Sequence, residues 1–489
     1  MNILKDWKVL LSLFVLAALF TTLHSVSTSP LYHGLYIDSQ IFQYMGFAIS
    51  QGKIPYVDLF DHKGLLLYLI NALGYIINKN VGVLFLQILS LTITLTMWYR
   101  IFVTLVREKW LKWTLIILSL HCLYPFYWNG NFTQEWALPF ISYPYMIYVE
   151  NLNRGIKYFE NKNLLLIGLC IGCLFSLQIN SAAPLLGLLL YCLSDAIVHR
   201  EYVYIGRAFT LITMGILLPI ILSFVYMYVV AGKEGVDAYV YANLFFNLEY
   251  SESGFLWQHL SGRFSDIFKT LLPILLIIPL IRKHSDVIIP ILLGTIFSFF
   301  SLGVRPFFHY QAIFIPLIVL SLSYLTLIRY RYVAFAILAL YYGKTLYVQF
   351  DTGHYPIGKD SYLEAFDNMI SSIPEYERDS IWNMEGTFLI NEFRKKKIVQ
   401  MNRMFLPMQI GQHQSLYETE GGKIKEVSPL YVVMVNYKED WMIGTVSYNR
   451  KGGTESSEFD RKYVLENYDK VSSAYWPDGT EIMCFRRKK

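Results

Sequence analysis

The stretch YIDSQIFQYMGFAISQGKIPYVDLFDHK, residues 36–63, follows a first apolar run and carries Asp38, Asp58, Asp61, His62 and Lys63. Ionisable groups at a membrane surface are costly to keep without a use, so this cluster is the first place to look for chemistry. Composition sets the class around it. The 489 residues are 54% hydrophobic, 17% aromatic and only 16% charged, too apolar for a soluble enzyme and too long for a simple anchor. The chain reads as a polytopic α-helical membrane protein. Its net charge of +5 is small for the length, and the Lys and Arg residues sit in short clusters between apolar runs. These are topology signals rather than a nucleic-acid footprint, so no nucleic-acid partner is expected. Cys122, Cys170, Cys173 and Cys192 lie in apolar segments and Cys484 stands near the C-terminus, which implies no disulfide framework. The Cys170/Cys173 pair has the spacing of a redox motif but, inside an apolar helix, reads as two small packing residues.

Apolar runs able to cross about 30 Å of hydrocarbon number about eleven. They fall near 8–25, 81–106, 113–128, 133–149, 163–179, 183–198, 208–231, 266–281, 287–303, 311–328 and 332–348. The first lacks a small-residue cleavage site and is followed by more spans, so it is a retained helix rather than a signal peptide. Basic residues gather at every second junction: Lys5 and Lys8, Arg107 to Lys112, Arg154 to Lys162, Arg200 and Arg207, Arg282 and Lys283, Arg329 and Arg331. That alternation puts the N-terminus in the cytoplasm and the C-terminus outside. The apolar segment GLLLYLINALGYIIN at 64–78 is short and runs almost directly into the next span. Counting it as a crossing would invert every later loop, so it is expected to be an interfacial or re-entrant helix on the outer face.

This topology sends outward the 36–63 stretch, the turn YWNGNFTQEW at 127–136, a long loop from about Gly232 to Arg263, and GVRPFFHY at 303–310. The tail also faces outward. Two domains are expected: a membrane domain over 1–350 and a small extracytoplasmic α/β domain over 351–489, with a strand at LYVVMV, 430–435, and a last strand at EIMCF, 481–485. The basic RRKK at 486–489 reads as a solvated chain end or as a contact for anionic headgroups.

Among the outward carboxylates, Asp38 opens an expected short helix, where it serves either as an N-terminal carboxylate on the helix dipole or as a catalytic group. Glu135 sits at the mouth of the fourth span, where an embedded acid asks for a cavity or a partner. Two carboxylates converging from separate loops, Asp38 and Glu135, are candidates for a general base and for ligands of a substrate or a divalent cation such as Mg or Mn. Lys63 is a natural point charge for a lipid phosphate. Arg305, His309 and Tyr310 form a second phosphate candidate, with snorkelling as the alternative for Arg305. Asp58 and Asp61 are secondary candidates that read more readily as loop-stabilising carboxylates. His62 is a candidate metal ligand or, more simply, a local hydrogen-bonding partner of Asp61.

At these residues the chain resembles a family. An Asp soon after the first membrane helix, then GKIPYVDLF at 52–60 and FDHKG at 60–64, is similar to the bacterial GT-C superfamily of polyprenyl-phosphate-dependent glycosyltransferases, which includes the aminoarabinose transferases of lipid A and, more distantly, the protein O-mannosyltransferases. The resemblance covers roughly residues 1–350 and is strongest over 36–75. It implies that Asp38 is essential for transfer, that Lys63 binds the lipid phosphate, that Glu135 matches the acid at the start of the fourth span, and that VRPFFHYQAIFIP at 304–316 matches a late Arg/His-Tyr and Pro segment. Gly64 departs from the motif's Pro, and His62 intervenes. The implied partners are a sugar on polyprenyl phosphate, most simply undecaprenyl phosphate, a cell-envelope glycan (teichoic acid included), lipid or protein as acceptor, and the bilayer of a bacterial plasma membrane. Asp38 would take the proton from an acceptor hydroxyl, with inversion at the anomeric carbon. A flippase or transporter of lipid-linked oligosaccharide is the rival class, and a polysaccharide polymerase a further one. A transporter calls for ionisable residues in mid-span, which are nearly absent here.

Overall fold

The computed structural model describes residues 6–32, 37–127, 130–248, 267, 270–302, 308–352, 361–384, 390–404, 420, 422–436, 441–443, 446–448, 455–475 and 481–489. Packing groups the chain into two units. The first holds Met1–Tyr32, Lys63–Val229 and Ser251–His354; the second holds His33–His62, Val230–Tyr250 and Tyr355–Lys489. The charged stretch that follows the first helix is therefore packed with the residues of the tail.

The first unit is helical. Its early elements are α1 (Trp7–His24), then, after α2 (Ile37–Ser50) of the second unit, α3 (Leu65–Ile77), α4 (Gly82–Leu105), α5 (Lys109–Tyr127), α6 (Thr133–Asn153), α7 (Asn161–Leu177) and α8 (Ala183–Val198). The long helix α9 (Tyr202–Val240) follows, the first unit including it as far as Val229, and later come Leu272–Ile277, Ser285–Ser301, Ile315–Leu325 and Arg331–Thr352. These helices fall on the apolar runs expected from sequence. Among the described residues, Trp7–His24, Gly82–Leu105, Ile179–Val198 and Tyr202–Leu248 are long and apolar enough to cross a membrane. The protein is a polytopic helical membrane protein. Apolar side chains left outside are those a lipid-facing wall requires: Val203, Phe209 and Val229 on α9 are all exposed.

Two devices hold these helices in register. Small residues permit close approach: a Cβ added at Gly187 on α8 would lie 2.0 Å from the Gly294 amide nitrogen of Ser285–Ser301. Polar cross-links join α4 to α6, where Trp98 Nε1 donates to Ser142 Oγ at 2.9 Å in the interior and the half-buried Arg100 makes a two-pronged contact with Glu150 at 2.8 and 2.6 Å. The segment 64–78 forms α3, whose 13 residues span about 20 Å, short of a hydrocarbon core of about 30 Å. It turns into α4 through Asn78, whose side chain accepts the Asn80 and Val81 N–H groups.

One expectation is corrected. The region read as a loop from Gly232 starts as helix: α9 continues to Val240 through a break at Gly232 (φ 59°, ψ −142°), and a π turn follows at Tyr241–Phe245. Gly232 is the residue that tolerates that conformation, so apolar periodicity ends at the break although the helix resumes after it. Glu249 and Glu252, in the later part of that expected loop, lie outside the described residues.

In the second unit, α2 (Ile37–Ser50) is almost wholly buried from Ser39 to Ala48. Its Tyr44 hydroxyl donates to the Ile398 carbonyl at 3.0 Å and accepts the Gln400 N–H at 2.8 Å. A four-stranded sheet has the order β1-β2-β6-β5, built from β1 (Ile381–Asn383), β2 (Tyr431–Asn436), β5 (Tyr468–Tyr475) and β6 (Glu481–Arg487). β1 and β2 are parallel and the other pairs antiparallel, while β3 (Trp441–Ile443) and β4 (Val446–Tyr448) form a separate hairpin pair. Val432, Met434, Met483 and Phe485 from the sheet pack with Val464 and Ile424 in a common core. The runs at 430–435 and 481–485 fall on β2 and β6, short continuous apolar runs whose consecutive residues Tyr431–Met434 and Ile482–Phe485 are all buried.

Residues 53–62 are fastened to the tail side of this unit by Arg403. Its guanidinium donates twice to the Tyr56 carbonyl, at 3.0 and 2.6 Å, pairs with Glu420 at 2.9 Å and lies over the Phe60 ring at 5.2 Å. Tyr56 adopts φ 67°, a conformation that a bulky residue holds only when its surroundings impose it. Arg403→Ala therefore lowers the stability of the second unit by about 2 kcal/mol and opens cleavage after Lys53 in limited trypsin digestion. Unchanged digestion at Lys53 would show that Arg403 does not hold the turn.

Candidate functional site

Lys63 begins the second segment of the first unit, and its backbone is fixed before its side chain is considered. Its N–H donates to the Tyr68 hydroxyl at 3.0 Å, and the Gly64 N–H donates to the Leu177 carbonyl at 2.9 Å. A Cβ at Gly64 would lie 2.1 Å from the Ser176 carbonyl oxygen. This explains the departure from Pro at that position: Pro supplies neither the N–H nor the space. The Lys63 ammonium then reaches Tyr310, with Nζ 3.5 Å from the hydroxyl and 5.7 Å from the ring centroid. Tyr310 packs edge-on to His309 at 4.7 Å, and the buried His309 ring lies 4.3 Å from Phe132. Lys63 and the adjacent pair His309 and Tyr310, phosphate candidates from two separate segments, thus meet in one cluster. Arg305 lies outside the described residues.

Glu135 stands just behind Phe132. As the third residue of α6 it reaches back over the helix start, accepting the Asn131 N–H at 3.0 Å on Oε2 and the Phe132 N–H at 3.2 Å on Oε1. Phe132 has no side-chain acceptor to complete a reciprocal box. Gln87 Nε2 donates a third bond to Glu135 Oε2 at 3.0 Å, and Gln87 Oε1 accepts from Ser25 and Thr28 at 3.2 and 2.6 Å. The turn before α6 needs left-handed residues at Gly130 (φ 88°) and Asn131 (φ 64°). Asn131 holds it by exchanging side-chain bonds with Asn71 and accepting from Trp136 Nε1. Of the two expectations for this acid, a cavity or a partner, the partner is what is found: the carboxylate is buried, with both oxygens bonded to protein donors.

The remaining candidates belong to the second unit. Asp38 lies half-buried in the first turn of α2, where a carboxylate suits the helix dipole. Ser39, Gln40 and Gln43 on the same helix are buried. Asp58 Oδ2 accepts the Ile54 N–H at 2.7 Å, the loop-stabilising arrangement. Asp61 is buried and accepts the His62 N–H at 2.8 Å, with His62 Nδ1 3.4 Å from Asp61 Oδ1. His62 packs on Phe246 and accepts from Asn247 through its carbonyl, a local hydrogen-bonded setting. Among the described residues, no group of three or more His, Cys, Asp or Glu is assembled to hold a metal ion. Glu135 would have to surrender a protein donor to become a ligand.

Sequence reasoning missed Asn71, Gln87 and Asn131. Their signal was present, since a lone amide in a run such as LLLYLINALG or GVLFLQILS must find a buried partner.

The fold and this cluster define a polytopic helical membrane protein with a lysine, tyrosine and histidine gathered at one site. A family model described as "Putative competence-induced protein Ccs4 N-terminal domain" matches residues 4–321, more than half of the chain. The chain belongs to that family. No curated protein sequence matches it. Among solved structures it is similar to the crystal structure of ArnT from Cupriavidus metallidurans bound to undecaprenyl phosphate, at 14% identity and a TM-score of 0.46. The match covers 75% of this chain and 65% of that one, so the chain spans less than two thirds of that protein.

The Gly64 contact yields a separable prediction. Gly64→Ala forces a Cβ against backbone and costs about 1–3 kcal/mol, seen as a lower thermal midpoint, whereas Lys63→Ala leaves the midpoint nearly unchanged. An equal drop in both would make Lys63 a structural residue rather than a ligand-binding one.

Proposed function

We propose that the chain is an integral-membrane glycosyltransferase that moves a sugar from a polyprenyl-phosphate donor to a cell-envelope acceptor. The observation that supports this best is the cluster of Lys63 and Tyr310, 3.5 Å apart although 247 residues separate them in sequence, with His309 beside them. Lys63 and Tyr310 came from different motifs of the sequence resemblance, and both were assigned to the same ligand group. A lysine ammonium and a tyrosine hydroxyl are donors suited to a phosphate oxygen.

In this reaction the acceptor oxygen attacks the anomeric carbon as the bond from that carbon to the phosphate oxygen breaks. The lipid phosphate leaves with the electron pair, and Lys63 with Tyr310 stabilises the charge that develops on it. Asp38 takes the proton of the attacking hydroxyl, and single displacement inverts the anomeric configuration. Glu135 acts as a positioning residue: it fixes the start of α6 and so holds Phe132 against His309. The outer-face placement of the site follows from the distribution of basic residues in the sequence.

The test is transfer from a synthetic polyprenyl-phosphate sugar by purified protein. Asp38→Asn lowers kcat by at least about 100-fold, the usual contribution of a positioned base. Lys63→Met lowers kcat/KM for the donor by roughly 10- to 100-fold, the loss of one charged hydrogen bond worth about 1.5–3 kcal/mol. Full activity of Asp38→Asn, or lipid-sugar translocation without transfer, would overturn the assignment and favour a flippase.

A further inference from the structure

A cavity of about 610 Å³ in the first unit is lined by Arg107, Lys112, His284, Asp286, Ser323 and Leu327, among others. It lies where α4 and α6 end and where α5 and Ser285–Ser301 begin. This is the end of the helices at which the basic clusters gather, so the positive-inside rule assigns it to the cytoplasmic leaflet. None of the candidate residues for sugar transfer lines it.

We propose that this cavity is a binding site for a phosphate ester, the headgroup of an anionic phospholipid of the inner leaflet. Arg107 and Lys112 supply the charge. Among the described residues neither makes an ion pair or a side-chain hydrogen bond within the protein, although other basic residues of this end do, such as Lys157 with Asp195 and Arg331 with Glu108. Two unengaged cations on a cavity of headgroup size, between helices of a membrane protein, match the requirements of a phosphodiester. The carbonyl ends of α4 and α6 and the amide ends of α5 and Ser285–Ser301 all lie here, so the helix dipoles oppose one another and the side-chain cations supply the net charge. The cavity holds one carboxylate, that of Asp286, whose backbone carbonyl accepts from Tyr148 at 2.5 Å. Its side chain suits a hydroxyl-bearing headgroup, to which a carboxylate is an acceptor, better than a second phosphate, which it would repel.

Native mass spectrometry of the delipidated full chain in detergent, titrated with dioleoyl phosphatidylglycerol, tests this. Arg107→Ala/Lys112→Ala should weaken the first lipid adduct by about 25-fold, a factor of roughly 5 for each cation. Leu327→Trp, which narrows the cavity and changes no charge, should weaken it as well, and serves if the double variant does not fold. Glycerol 1-phosphate added as competitor distinguishes the sources: no displacement at millimolar concentration supports the lipid headgroup, whereas full displacement shows a site for a soluble phosphate ester and overturns the lipid assignment. Equal phosphatidylglycerol binding in wild type and both variants overturns the site altogether. Neither result bears on sugar transfer.

Discussion

The first unit is organised around a buried carboxylate that has to be met by donors. Away from water, an unsatisfied polar group costs more than a hydrogen bond gains, so the donors must be brought in by whole helices. Glu135 collects them from its own helix start and from α4, through Gln87. Gln87 in turn binds Ser25 and Thr28 after α1, and Asn131 ties in α3 through Asn71. Four helices are thereby held at one end with little freedom to slide, which apolar contact between helices in lipid does not by itself ensure. Phe132, at the centre of this arrangement, is the surface against which His309 rests.

What the network does for Lys63 is indirect. The lysine is placed by its neighbour Gly64, pressed on the Ser176 carbonyl at the end of α7, while Gln178, the next residue after α7, accepts from Thr133 and Gln134 at the start of α6. The segment that carries Lys63 and the segment that carries Phe132 are thus referred to the same short turn. A cation held by backbone contacts on one side and facing a tyrosine on the other is preorganised for an anion, and preorganisation is what makes such a group effective in a reaction that expels a phosphate.

Much of this was legible in sequence, and the reasons differ by residue. The helices were visible because long apolar runs have few other uses, and β2 and β6 because short continuous apolar runs bounded by polar residues mark a buried strand. Lys63, His309 and Tyr310 stood out as charge or polarity beside apolar runs. Asn71 and Gln87 did not, since a single amide in an apolar helix has many conceivable partners and only the packing names one. The attachment of residues 53–62 through Arg403 was equally hidden: a surface-like RMF context in the tail gives no sign that the guanidinium will bond a carbonyl 347 residues away. The break at Gly232 also escaped notice, because one glycine in an apolar run is compatible with either a helix end or a kink.

The central claim is that Lys63 and Tyr310 hold the phosphate of a lipid-linked donor. The direct measurement is a cryo-EM map of the full chain in nanodiscs with a synthetic polyprenyl phosphate. The account predicts phosphate density within about 3 Å of the Lys63 ammonium and the Tyr310 hydroxyl, as charge-assisted hydrogen bonds require. The polyprenyl phosphate bound away from this pair, with the Lys63 and Tyr310 side chains still facing each other, would contradict it.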